Sequence, residues 1–221
     1  MITANNSIAS IDFERRALRK IMLERRFRVQ REQPEVVERM RCCLRQWLEN
    51  CNSSLIGFYR PIRGEPDLTE VFEEWASQKV ERRLCVPVVD DLAKKRMHFS
   101  AWDGKDIRTG AYGIEEPACD VPVDPEVIFS PCVGVTPEGF RLGNGGGFFD
   151  RWLDERRGCG LMPTTVAVAF DCLTIEDFHP MPYDVPMDWI LSESGVHPAQ
   201  RKRADASRRR PVEAIASKSA G

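Results

Sequence analysis

No apolar run in the chain approaches the roughly 20 residues that an α-helix needs to span a bilayer. The first ten residues, Met1 to Ser10, are polar and hold no apolar core of the kind an export signal carries. A cytoplasmic protein is therefore expected, with no membrane partner. Histidine is scarce, at 3, and His98, His179 and His197 lie far apart. The 8 cysteines include no Cys-x-x-Cys pair, so the usual ligand spacings of a structural zinc site are missing. Without an oxidising compartment they read as reduced thiols, several in buried strands. Neither sign of charge dominates: 32 Lys and Arg against 34 Asp and Glu leave a net charge of −2. That excludes a whole-protein, strongly basic nucleic-acid binder and leaves room for a local basic patch. No internal repeat is visible.

What remains is ordinary globular material, 42% hydrophobic and 30% charged over 221 residues, with one core as the natural reading. Ser10-Ile11-Asp12 opens a helical pattern in which Phe13, Ala17, Leu18, Ile21 and Met22 form one apolar stripe and the remaining surface is basic. Pro34 ends it. Val36, Val37, Met40, Leu44, Trp47 and Leu48 predict a second helix, and Leu68, Val71, Phe72, Trp75 and Ala76 a third. Strands are predicted over Leu55–Tyr59, Leu84–Val89, Met97–Trp102, Val127 towards Val135, Thr164–Phe170 and Trp189–Leu191. Pro87 sits awkwardly in the second of these. Gly104 to Pro125 reads mostly as loop, Pro137–Gly139 as a turn, and Phe148 to Arg157 as a helix. Helices alternating with short apolar strands predict a single three-layer α/β/α domain with a largely parallel sheet, over residues 1–196. Residues 197–221, with Arg201, Lys202, Arg203, Arg208, Arg209 and Arg210, read as a basic disordered tail.

Three local features can carry chemistry. Four glycines within five residues (Gly143, Gly145, Gly146 and Gly147, around Asn144) stand before a predicted helix. Their backbone N–H groups and the helix start suit a phosphate. Arg141 would add a fixed positive charge and Asp150 a hard oxygen for magnesium. Glycines alone are equally consistent with a flexible turn, and the loop is neither a Walker A nor a dinucleotide fingerprint. On the first helix, Arg15 and Arg19 share a face, flanked by Arg16 and Lys20. Two guanidiniums suit polyphosphate, although a solvated basic face is the plainer reading. The third feature, Phe58-Tyr59-Arg60-Pro61-Ile62-Arg63-Gly64-Glu65, follows a predicted strand, where α/β folds place ligands; an ordinary surface turn would look the same.

Taken in order, Arg-x-x-Leu-Arg, Tyr-Arg-Pro-Ile-Arg-Gly-Glu-Pro-Asp and Arg-Leu-Gly-x-Gly-x-Gly-aromatic-aromatic-Asp resemble the 5-formyltetrahydrofolate cyclo-ligase family, the methenyltetrahydrofolate synthetases. The resemblance runs from about Phe13 to Gly195. It includes a closing segment, Pro182-Tyr183-Asp184-Val185-Pro186-Met187-Asp188, in which an aspartate precedes the last strand. Two positions depart from the family's habit: Arg15 stands where Lys is usual, and Phe148-Phe149 where two tyrosines are usual.

The resemblance implies an ATP- and magnesium-dependent closure of 5-formyltetrahydrofolate to 5,10-methenyltetrahydrofolate, releasing ADP and phosphate. Such a reaction needs position and charge more than a nucleophilic side chain. The residues then expected at ATP are Arg15, Arg16, Arg19, Arg141, Leu142, Gly143, Asn144, Gly145, Gly146, Gly147, Phe148 and Phe149, with Arg141 supplying the electrostatic contribution. Asp150 and Asp188 would hold Mg2+. Phe58 or Tyr59 would line the folate, and Glu65 would accept hydrogen bonds from its N–H-rich edge. A monomer without a nucleic-acid partner is expected. The rival reading is a non-catalytic nucleotide- or RNA-binding module, suggested by the basic helix and tail. Glu65, Asp150 and Asp188 speak against it, since a pure binding module has no use for them.

Overall fold

The computed structural model describes residues 2–200, and side chains from residue 11 onward. The elements are α1 (Ile2–Glu32), α2 (Glu35–Glu49), β1 (Leu55–Gly57), α3 (Thr69–Ser77), β2 (Arg83–Asp91), β3 (Arg96–Trp102), β4 (Ile107–Thr109), β5 (Glu115–Pro117), β6 (Pro122–Val123), β7 (Val127–Pro131), β8 (Gly134–Val135), β9 (Arg141–Leu142), α4 (Phe148–Gly158), β10 (Thr164–Val168), β11 (Trp189–Ser192) and β12 (Gly195–Pro198). Eight strands form one sheet in the order β12-β11-β10-β7-β1-β2-β3-β6. Its centre, from β11 through β10, β7 and β1 to β2, is parallel; β12, β3 and β6 pair antiparallel at the edges. The largely parallel α/β sheet is as expected.

Strand and helix signals act through burial on both faces. Phe129 of β7 meets Trp47 of α2 edge-on at 5.6 Å and Phe72 of α3 at 4.8 Å. On the opposite face Phe99 of β3 meets Trp152 of α4 at 4.9 Å. Met40, Leu44 and Phe72 are wholly buried; burying a side chain of this size contributes about 1.5–3 kcal/mol. Pro87 is tolerated because β1 pairs with β2 only as far as Cys85, leaving Pro87 with β3 on one side. All 8 cysteines are free thiols, with Cys51, Cys85 and Cys132 buried. No helix among the described residues is long and apolar enough to cross a membrane.

Several expectations need correction. Helix α1 begins at Ile2 rather than near Ser10, since neither Pro nor Gly interrupts the chain before Pro34. Its buried face is not the apolar stripe. Phe13 and Ile21 are exposed, and so is Ala17, while Arg15, Met22 and Arg26 are buried, with Leu18, Arg19 and Val29 partly so. Acceptor groups on the facing segments take the Nη groups of Arg15 and Arg26 and the Nε of Arg19, so charge does not force them outward. The Gly104–Pro125 stretch is loop over most of its length, as read, but it also holds short strands the sequence did not show: β4 and β5 pair as a hairpin there and β6 joins the main sheet. β7 stops at Pro131, and Gly134 and Val135 pair with β9 instead of prolonging it. β12 carries the sheet to Pro198, two residues beyond the expected domain end at 196. The remainder of the basic tail, residues 201–221, lies outside the described residues.

Away from these features, His98 of β3 bridges two carboxylates: Nδ1 lies against Asp90 and Nε2 is 2.8 Å from Asp120. Burial alone would lower its pKa, but the hydrogen bonds to Asp120 and Asp90 and their charges outweigh that, and the pKa is raised. The protonated ring therefore favours the fold. That contribution is complete below the unfolded value, about 6.5, and is lost as pH rises through the raised folded value. The melting temperature should accordingly fall across this window in the native protein and stay flatter in His98→Gln. Parallel curves would show that the bridge contributes nothing to stability.

Candidate active site

The parallel register aligns Gly57 of β1 with Ile128 of β7, and Val168 of β10 with Pro131 of β7. The chain segments leaving these strands therefore gather at one end of the sheet. One is the loop from Phe58 to Pro66. Its turn puts Arg63 and Gly64 at φ 49° and 73°. A Cβ on Gly64 would stand 2.9 Å from the Gln30 side chain, so only glycine lets the turn tuck under α1. The turn carries Glu65 inward, 3% exposed. Glu65 Oε2 accepts the Ile62 N–H at 3.0 Å, and Oε1 accepts the Asn144 side-chain amide at 3.1 Å. Burial raises the Glu65 pKa, opposed by the Ile62 N–H, Arg26 and Asn144. The two loops picked out in the sequence thus meet through a Glu65–Asn144 hydrogen bond.

The glycine loop joins β9 to α4. Gly145 and Gly147 have φ 102° and 68°. Among the described residues, no backbone N–H from Gly143 to Gly147 is taken by a protein acceptor. Arg19 Nε donates to the Gly143 carbonyl at 2.9 Å and so orients the loop from α1. Arg141 is 6% exposed, with its guanidinium 5.2 Å from the Phe149 ring centroid. Its Nη2 lies 2.9 Å from Asp150 Oδ1, yet neither Nη2 nor Nε has a hydrogen-bond partner. The ion pair is close but off line, which leaves donors on a buried cation unspent beside unclaimed N–H groups. That is the condition a bound phosphate would relieve.

The other sequence-predicted residues divide. Arg15 is buried, but its guanidinium is paired with Asp184 and donates to the His179 carbonyl at 2.9 Å, so its charge is largely matched within the protein. Arg16 points away: it is exposed and donates to the Asp12 carbonyl of its own helix. Leu142 is 1% exposed, a core side chain. Phe58 and Tyr59 are also core: Phe58 packs on Phe72 at 5.1 Å, and the Tyr59 hydroxyl donates to the Pro66 carbonyl at 2.6 Å. Both rings are at most 4% exposed, so neither presents surface to a ligand in this conformation. Phe148 and Phe149 are partly exposed and flank the loop.

The two aspartates expected at magnesium are set differently. Asp150 follows the glycine loop, pairs with Arg141 and accepts the Val185 N–H at 3.4 Å. Asp188 Oδ2 accepts both the Thr165 N–H at 2.9 Å and the Thr165 hydroxyl at 2.7 Å. Thr165 belongs to the amino end of β10, three residues before Val168 and so about 10 Å down the strand from the loop end. The aspartate that the closing segment brings to the loop side is Asp184, through Arg15, with Val185 against Asp150. No group of three or more His, Cys, Asp or Glu among the described residues could hold a metal without further ligands. Asp150 fits magnesium only in the usual manner of that ion, one or two carboxylates completed by substrate phosphates and water.

Three residues gave no functional signal in the sequence. Arg26 is fully buried and 3.8 Å from Glu65 Oε1. Asp184 stood in the closing segment without a role assigned to it. Tyr112 lay in the supposed loop; its ring is 62% exposed and stands edge-on to Phe148 at 6.2 Å. Contacts across more than a hundred residues of sequence, as between Arg26 and Cys132, leave no local pattern.

A mixed α/β domain with loops gathered at the carboxyl ends of parallel strands, one glycine-rich and one carrying a buried carboxylate, defines a ligand-binding α/β enzyme of small-molecule type. The comparisons make this specific. Residues 12–193 match the model of the 5-formyltetrahydrofolate cyclo-ligase family, and the chain belongs to that family of enzymes. It is similar to the 5-formyltetrahydrofolate cyclo-ligase of Haemophilus influenzae, 27% identical over 65% of this chain and 78% of the relative. The Escherichia coli K12 enzyme of the same name is also 27% identical, over 64% and 79%. The NMR structure of Aquifex aeolicus 5,10-methenyltetrahydrofolate synthetase matches with a TM-score of 0.71 and 28% identity, over 86% of this chain and 94% of that one. The synthetase of Mycoplasma pneumoniae, at 22% identity and a TM-score of 0.65 over 81% and 98%, shares the fold.

Proposed function

We propose that this protein converts 5-formyltetrahydrofolate and ATP to 5,10-methenyltetrahydrofolate, ADP and phosphate. One observation supports it beyond family membership: the buried Arg141 guanidinium with unspent donors beside the unclaimed N–H groups of the glycine loop. In this reading the loop amides from Gly143 to Gly147, Arg141 and Arg19 receive the phosphates of ATP, and the loop bends at Gly145 and Gly147 to aim its N–H groups. Arg141 leaves Asp150 for the phosphate, which frees the carboxylate for Mg2+. Magnesium, when bound, would neutralise the phosphate oxygens and lower the barrier to transfer.

The formyl oxygen attacks the γ-phosphorus and ADP leaves, so the formyl carbon becomes an activated, phosphorylated iminium. Nitrogen 10 then adds to that carbon, loses its proton, and phosphate departs to give the methenyl bridge. Glu65 contributes by accepting from the N–H edge of the pterin and holding the formyl-bearing ring in line with the phosphate. Tyr112 and Phe148 offer the exposed aromatic surface on which the pterin would rest. Asp188 stays with Thr165 and serves the sheet.

The direct test is the rise of methenyltetrahydrofolate absorbance on mixing protein with 5-formyltetrahydrofolate and magnesium. It is expected only when ATP is added, and absence of the rise with ATP overturns the reading. Truncation after Gln200 should leave the turnover number nearly unchanged, because every residue used above precedes that point. A truncated protein that folds but no longer cyclises would place part of the site in residues 201–221.

A further inference from the structure

Arg26 stands out as a fully buried cation. Its Nη2 donates to the carbonyl of Cys132, just past the carboxyl end of β7, and its Nη1 to the carbonyl of Arg63 at 3.4 Å. The same Nη1 stands 3.8 Å from Glu65 Oε1, an ion pair without a hydrogen bond, while the buried Nε has no partner; both side chains are 1% exposed. A buried ion pair is a poor source of stability, since apolar residues of equal volume fill a core as well. Its place against the Glu65 loop is better explained by what it holds in position.

We propose that Arg26 is a positioning residue for the folate site: from α1 it fixes the Glu65 carboxylate, ionised, between its own loop and the glycine loop. The inference rests on the reading of Glu65 as an acceptor for substrate. The geometry is that of a strut. Arg26 and Arg19 lie seven residues apart on one face of α1. Arg19 grips the glycine loop at the Gly143 carbonyl, and Arg26 grips the Glu65 loop at the Arg63 carbonyl. The Asn144–Glu65 hydrogen bond closes the circuit between the two loops.

The charged and titratable neighbours of Glu65 are few. Arg63, on its own loop, is exposed. Tyr59 lies beneath it, with Asp67 further along the loop, and Cys132 lies behind it. Burial pushes Tyr59 well above its usual range and Cys132 up to about 11, so both are neutral near pH 7. Arg26 is thus the buried cation that offsets the tendency of burial to protonate Glu65.

The test is the pH profile of cyclisation in the full chain, compared for the native protein, Arg26→Lys, Arg26→Met, Glu65→Gln and the double Arg26→Met/Glu65→Gln. Each is checked for folding by circular dichroism. Arg26→Met should lower kcat/KM for the folate by about 10²-fold, leave KM for ATP within about threefold, and move the acid limb upward by at least about one pH unit. Arg26→Lys keeps the charge and should keep the acid limb in place. Glu65→Gln should lose the limb, and the double variant should be no worse than Glu65→Gln. An Arg26→Met protein whose activity falls only with its folded fraction, its acid limb unmoved, overturns the proposal. So does a double variant tenfold or more below Glu65→Gln, and that comparison decides if Arg26→Met alone fails to fold, because the double leaves no unpaired buried charge. Native activity with Glu65→Gln overturns instead the assignment of Glu65, and no cyclisation by the native protein overturns the functional reading itself.

Discussion

Asp150→Asn is expected to lower turnover by about 10²–10³-fold at any magnesium concentration, with little change in melting temperature. Asparagine keeps an oxygen for the Val185 N–H, and no hydrogen bond to Arg141 is there to be lost, so the contact that seats α4 persists. What it loses is the anionic oxygen. A hard, strongly hydrated dication is held by carboxylates and phosphates and much less by an amide. In the present conformation Asp150 is spent on Arg141. Arrival of a polyphosphate would offer that arginine a better acceptor and release the carboxylate to the metal, so the loss should appear in turnover rather than in folding. Full activity with an unaltered magnesium requirement would reduce Asp150 to the anion in the first turn of α4, favourable to the helix dipole and nothing more.

Gly145→Val should raise KM for ATP at least about tenfold or abolish ATP binding, because forcing a β-branched residue to positive φ costs about 1–3 kcal/mol. Space is not the obstacle: a Cβ there would find the Arg19 guanidinium no nearer than 3.8 Å. The strain comes from φ 102°, which a valine escapes only by turning the flanking peptides. Those peptides carry the N–H groups proposed for phosphate, so the escape dismantles the cradle while the core, which the loop does not enter, stays intact. Calorimetry with ATP reads the effect directly. Unchanged affinity would make the loop a plain connection between β9 and α4.

The fold was legible where burial is two-sided. Thr164–Phe170 and Leu84–Val89 are continuous β-rich runs, and continuous runs belong in a parallel sheet covered on both faces. The helix of Val36, Met40, Leu44 and Trp47 repeats at the right period and buries those same residues. Legibility failed on α1, where the apolar positions Phe13, Ala17 and Ile21 face outward and Arg15, Arg19 and Arg26 face inward. A guanidinium can be buried where carbonyls and carboxylates of distant segments await it, and no local pattern announces such acceptors. The short edge elements between Gly104 and Pro125 were missed for a related reason: two- and three-residue strands are defined by their partners and not by their own composition.

Composition and local motif by themselves determined the α/β class, the family, and the glycine loop with Arg141 before it and Asp150 after it, because those features are contiguous in the chain and their chemistry depends on spacing alone. The tertiary structure decided which side chains belong together. It took Phe58, Tyr59 and Leu142 into the core, turned Arg16 to solvent, paired Arg15 with Asp184 and left Asp188 at the amino ends of the strands beside Thr165. It also set Arg26 against Glu65 and Glu65 against Asn144. Arg16 apart, these outcomes join residues many positions apart, and the way the elements pack, not the sequence near either partner, sets the distance between them.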